Sequence, residues 1–83
     1  MHEMSLALEI CRIAEAHALP LPASAVTEVG IEVGDAAGVD AENLKFCLEA
    51  TLATEPFRHA RPRVSRRDGD ALRVTYVEVD DGS

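Results

Sequence analysis

The sequence predicts an α+β domain, a three-stranded antiparallel sheet of strand order 1-3-2 with two helices on one face, in chain order α-β-α-β-β. Three observations carry that prediction. Apolar residues recur at helical spacing over 4–18 and again after Asp40; they alternate at strand spacing over 26–33; and two further alternating runs, "ARPRVSRR" and "ALRVTYVEV", flank an Asp-Gly pair. The 83 residues make one domain, 1–83, close to the size at which a single core is only marginally stable. A second copy of the chain is therefore a candidate partner.

In the first helix Leu6, Ile10, Ile13 and His17 share one stripe, with Ser5, Glu9, Arg12 and Ala16 on the other side. "LPLP" at 19–22 ends it, because proline removes a donor and pushes its predecessor out of helical geometry. In "VTEVGIEV", Val29, Ile31 and Val33 alternate with Glu28, Gly30 and Glu32, the pattern of a strand with one wet face. "GDAAG" turns the chain. Asp40 suits a helix N-cap, Glu42 falls where the helix dipole favours an acid, and the second helix runs to Thr54, short of Pro56. Its apolar arc (Leu44, Phe46, Cys47, Leu48, Ala50, Thr51, Leu52) is wider than one sheet contact uses, which leaves part of it for another chain.

The second strand sets Ala60, Pro62 and Val64 against Arg61, Arg63 and Ser65, and Asp68-Gly69 predicts a tight hairpin into the third. There the inward set begins as Leu72 and Val74 but continues as Val77 and Val79, so a bulge is predicted near Thr75 and Tyr76. Pro62 cannot donate on both sides, which assigns the second strand to an edge; the third, being the most hydrophobic, takes the centre.

A composition of 47% hydrophobic and 28% charged residues is that of a folded chain. The net charge of -7 argues against nucleic acid or anionic membrane as a main partner. "MSLALEICRIA" is too short and too interrupted by charge for a membrane span or a secretion signal, which predicts a cytoplasmic protein. Cys11 and Cys47 lack C-x-x-C spacing and read as two small buried hydrophobes. No zinc site and no disulfide are expected of them. Without a paired nucleophile and base or a Gly-rich phosphate loop, the chain is not expected to be an enzyme, and Gly34 and Gly38 fit a turn.

Six of the eight basic residues fall in 58–73 (Arg58, Arg61, Arg63, Arg66, Arg67, Arg73); with Asp68 and Asp70 that segment carries +4 against -11 for the remainder. Cross-strand pairing with Glu28, Glu32 and Glu78 accounts for these arginines, and docking of an acidic partner through Arg66 and Arg67 is the competing role.

The start of the chain, "MHEMSLALEI", offers coordination chemistry. The Met1 amine, the His2 amide nitrogen and the His2 imidazole can close a five-membered and a six-membered chelate ring around one metal. A second arrangement uses the imidazole with the His2 and Glu3 amides. Either leaves the position opposite the His2 amide open. Deprotonated amides in a plane suit Ni(II) or Cu(II) rather than Zn(II), whose filled d shell gains nothing from planarity. Glu3 is placed to orient the imidazole or to supply an oxygen. A solvated terminus without function is the competing reading.

"MHEMSLALEICRIAEAHA", "VTEVGIEVGDAAGVDAENLKFCLEATL" and "GDALRVTYVEVDD" resemble, in order and spacing, the HypA/HybF family of hydrogenase nickel-incorporation proteins. The resemblance implies a metallochaperone that binds Ni(II) transiently through Met1, His2 and Glu3. It would deliver the ion to a nickel-enzyme precursor, a [NiFe] hydrogenase, with a GTPase maturation partner. It also implies a departure: family members carry a zinc-binding insert with two C-x-x-C pairs between the last two strands, where this chain has "SRRDGDAL". No zinc is then expected, and any nickel ligand drawn from the insert needs another source. His17 lies about 22 Å from His2 along a helix and is expected to pack at the helix end; His59 is expected in a solvated loop. The alternative function is a metal-independent adaptor or docking domain in the maturation complex.

Overall fold

The computed structural model of the chain describes residues 3–80. Helix α1 (Glu3–Ala18) leads through a 3-10 turn (Ala23–Ala25) into strand β1 (Val26–Gly34); helix α2 (Ala41–Leu52) and strands β2 (Arg61–Arg67) and β3 (Leu72–Val79) follow. The α2 start is dictated locally. Asp40, in an extended conformation, accepts the Asn43 N–H on Oδ1 at 3.1 Å and so satisfies one of the helix's orphan donors.

The α+β class, the three strands and the two helices are as the sequence predicts; the order within the sheet differs. It is β2-β1-β3, with β1 central, parallel to β2 and antiparallel to β3, in place of an all-antiparallel 1-3-2 sheet. The apolar run of β3 misleads because Arg73, Thr75, Tyr76, Glu78 and Val79 remain exposed. β1 is enclosed on both faces instead. Val29, Ile31 and Val33 enter the core, while Gly30 and Gly34, on the face read as wet, bring no side chain that needs water and are buried too. β1-α2-β2 is a strand-helix-strand unit, the connection that parallel neighbours require. Pro62 is indeed on an edge strand.

Asp68-Gly69 consequently closes no two-residue hairpin. With β1 between β2 and β3, the 68–71 segment must cross the end of β1 and span two strand spacings, roughly 9.6 Å. It is sewn down there: Gly34 N–H donates to the Ala71 carbonyl (2.7 Å), Asp35 N–H to that of Arg67 (2.8 Å) and Ala36 N–H to that of Gly69 (2.7 Å). The predicted bulge is present, with Thr75 the extra residue between the pairs Ile31–Val74 and Gly30–Tyr76.

The buried residues form one cluster built from both helices, β1, Phe57 and Ala60. On α1 the buried stripe is Ala7, Ile10, Cys11, Ala14 and Ala18, turned from the predicted Leu6, Ile10, Ile13 and His17. Small residues line it because α2 packs alongside: Glu3 meets Asp40 and Asn43, and Cys11 donates to Thr51 Oγ1 at 3.3 Å, so the two helices run in the same direction. His17 is therefore exposed rather than packed, beside a shallow hollow formed by residues 74–77. His59 is exposed as expected. On α2 Leu44, Cys47, Leu48 and Leu52 are buried, whereas Phe46 is 68% exposed.

Candidate metal centre

Of the three residues that the sequence assigns to nickel, Met1 and His2 lie outside the described residues. Glu3 opens α1. Its carboxylate reaches across to the start of α2, where Oε2 accepts the Asp40 N–H and Oε1 accepts the Asn43 side-chain amide, each at 3.1 Å. These bonds, the Asp40 N–H first and the Asn43 amide second, hold the Glu3 carboxyl below its ordinary value. Asp40, Asn43 and Glu3 thus form one linked group in which a carboxylate occupies the positive end of the α2 dipole.

Two consequences concern metal chemistry. Each oxygen of Glu3 accepts one hydrogen bond from the α2 start and keeps a second lone pair, so a metal could share the carboxylate without breaking either bond. The Glu3 N–H lies in the first turn of its helix, outside the i to i−4 ladder, and turns toward its own carboxylate. Asp40 is what sequence reasoning missed. In the sequence its type and position mark it as a cap alone, and its only signal as a neighbour of Glu3 is that two helix starts with apolar stripes must pack together somewhere. Its second oxygen, Oδ2, makes no hydrogen bond among the described residues. Those residues bring together no group of three or more His, Cys, Asp or Glu able to hold a metal.

Cys11 and Cys47 are buried free thiols, and burial, offset in part by the bond to Thr51, raises the Cys11 thiol above its ordinary value. Most arginines of 58–73 pair across the sheet: Arg63 with Glu28 (3.7 Å), Arg67 and Arg73 with Glu32 (3.1 Å each), and Arg66 with Asp35 (3.3 Å). Tyr76 joins them by donating its hydroxyl to Glu28. Asp35 thus takes the place that the sequence suggested for Glu78.

A family model described as hydrogenase/urease nickel incorporation, metallochaperone, HypA, matches residues 1–72. This chain belongs to the HypA family. Among its curated relatives, hydrogenase maturation factor HypA of Chlorobium phaeobacteroides (strain BS1) is 50% identical over 50 residues, which cover 60% of this chain and 44% of that protein. The factor of Albidiferax ferrireducens is 34% identical over 79 residues, 95% of this chain and 70% of the relative; that of Azotobacter vinelandii is 32% identical over 71 residues, 86% and 63%. The chain spans about half the length of several curated relatives that it matches. Among the described residues no helix is long and apolar enough to cross a membrane.

Proposed function

We propose that residues 1–83 are a HypA nickel-binding domain without the zinc insert, and that it holds Ni(II) at Met1, His2 and Glu3 as cargo for a nickel-enzyme precursor. The observation that carries this reading is the tie between Glu3 and the start of α2. A chelate made of consecutive backbone nitrogens costs less to order when the peptide is already held, and the tie holds the third residue of the chain to a second helix. Asp40, the carboxylate next to Glu3, is the first candidate for the open fourth position, since its Oδ2 is free of hydrogen bonds among the described residues. It replaces a ligand from the insert without any change of fold.

In this reading the protein supplies geometry and no catalysis. The planar nitrogens hold the ion, Asp40 closes the plane, and an acceptor's donor atom displaces Asp40 first because a single carboxylate leaves more easily than a chelate. Cytoplasmic residence, a [NiFe] hydrogenase as acceptor and a GTPase as partner belong to the same proposal.

Titration of Ni(II) tests it. Protein with an intact, unblocked Met1, verified by mass spectrometry, is compared with His2→Ala and with a form carrying extra residues ahead of Met1. The yellow absorption of square-planar nickel is expected in the first sample and absent in His2→Ala. A form extended ahead of Met1 loses binding if the Met1 amine is a ligand and keeps it if the two amides are. Equal binding in the native and His2→Ala proteins refutes the assignment and leaves the adaptor role.

A further inference from the structure

We propose that the free edge of β2 docks an extended acidic segment of a partner protein. A cleft of about 280 Å³ lies along this edge, with Lys45 reaching in from α2, Arg61 and Arg63 from the open face of the sheet, Pro62 and Val64 between them, and Glu28 of β1, the partner of Arg63, as its one acid. The cations here are of two kinds. Arg63 shares Glu28 with Tyr76 and is largely spent, whereas Lys45 and Arg61 are exposed and make no ion pair among the described residues. By contrast Arg66, Arg67 and Arg73 of the same basic segment each hold a carboxylate. In a chain of net charge -7, a cleft with two uncompensated cations is complementary to carboxylates.

The backbone adds a second kind of complementarity. Main-chain groups of a strand point alternately to its two sides. The Arg67 carbonyl accepts Asp35 N–H, which turns the main-chain groups of Arg61, Arg63, Ser65 and Arg67 toward β1. Those of Val64 and Arg66, and the Pro62 carbonyl, then face outward, where the sheet has no further strand among the described residues. An incoming strand gains hydrogen bonds at Val64 and Arg66, and its carboxylates meet Lys45 and Arg61. The edge selects against its own kind. Pro62 offers no donor and the arginines repel an identical strand, so a second β2 fits poorly while an acidic strand is attracted. The docking role that the sequence suggested for Arg66 and Arg67 thus moves to Lys45 and Arg61, without reliance on the metal reading.

The probe is a dye-labelled, terminally blocked hexapeptide of glutamates, whose successive carboxylates reach both faces of an added strand, followed by fluorescence anisotropy and amide chemical shifts in metal-free protein. Saturable binding is expected, weakening as salt rises, with the largest shifts at Val64 and Arg66. The double reversal Lys45→Glu/Arg61→Glu, at two exposed positions, is expected to weaken it roughly tenfold. Arg58→Glu makes a like charge reversal outside the cleft and is expected to leave affinity within about twofold. Four results overturn the proposal: no saturation at millimolar peptide; equal affinity in the double reversal; an equal loss in Arg58→Glu; or equal affinity for a single-stranded RNA hexamer, which would make the patch an unselective anion site.

Discussion

Gly34→Ala offers the sharpest test of the strand order, because its cost comes from a segment that crosses β1 only if β1 is central. A methyl group on Gly34 would stand 2.3 Å from the Gly69 carbonyl oxygen and 2.9 Å from the Ala71 nitrogen, and both are backbone atoms. Ordinary contact then requires the 68–71 segment to retreat by about 1 Å, which takes the bonds Gly34–Ala71 and Ala36–Gly69, each 2.7 Å, beyond useful length. Two net hydrogen bonds amount to about 1–3 kcal/mol. Against this, alanine restricts the unfolded chain and returns about 0.4–1 kcal/mol, since Gly34 is not among the glycines with positive φ. A net loss of about 1–2 kcal/mol lowers Tm by about 4–16 °C in a domain of this size. Gly38 provides the contrast. It has φ +75° and nothing within 4 Å of an added Cβ, so Gly38→Ala suffers backbone strain alone and Gly38→Asn suffers less than Gly38→Ala. Thermal unfolding followed by circular dichroism decides the matter. A Gly34→Ala protein that melts within about 2 °C of the parent, as a true β2-β3 hairpin would allow, refutes the crossing.

Two further predictions follow from titratable groups. The Glu3 carboxyl is held below its ordinary value by the α2 start, so its contribution is complete above about pH 4.3 and is lost as pH falls through the lower folded value. Hydrogen exchange at Asp40 N–H is expected to lose protection on that acid limb in the parent, whereas Glu3→Gln shows a flat profile there; an acid limb retained in Glu3→Gln would contradict the tie. Burial raises the Cys11 thiol, so its contribution is present below about pH 8.5 and is lost only as pH rises through the higher folded value. Iodoacetamide at pH 8.5, read by mass spectrometry, should leave Cys11 unmodified in folded protein and alkylate it in urea; rapid alkylation without denaturant would show the thiol to be exposed.

What could be read in the sequence was local, and what could not was the outcome of competition between distant segments. Asp40 capped its helix, Thr75 made the bulge and Pro62 kept β2 at an edge because each depends on the chemistry of one or two residues. Strand order depended on which strand was enclosed twice. The clue lay in Gly30 and Gly34, whose missing side chains let neighbours close over β1: the Tyr76 ring occupies the space a Gly30 Cβ would take, 2.1 Å away at Cε2. The strand-helix-strand spacing of 26–67 pointed the same way, toward a parallel pair. The buried α1 stripe differs from the one its large apolar residues predict because a close helix neighbour selects Ala7, Cys11 and Ala14. For the candidate site, the residue types near the start of the chain were legible. The partnership of Glu3 with Asp40 and Asn43, some 40 residues on, was not.

The carboxyl end of β1 links the helix start that holds Glu3 to the crossing between the last two strands. From this end the chain leaves Gly34 and reaches Asp40, which holds Glu3; over the same end passes the 68–71 segment, bonded to Gly34 and Ala36. The family resemblance places the zinc insert in that crossing. Here the crossing is closed by its shortest path, with Gly69 at φ +102° making the turn. The bonds that seal it belong to the backbone of β1 and not to the insert. The core beneath, with Leu44, Leu48 and Leu52 at 0% exposure, is closed by residues of the two helices and β1, and in the proposed reading Asp40 is the residue that would finish the nickel plane.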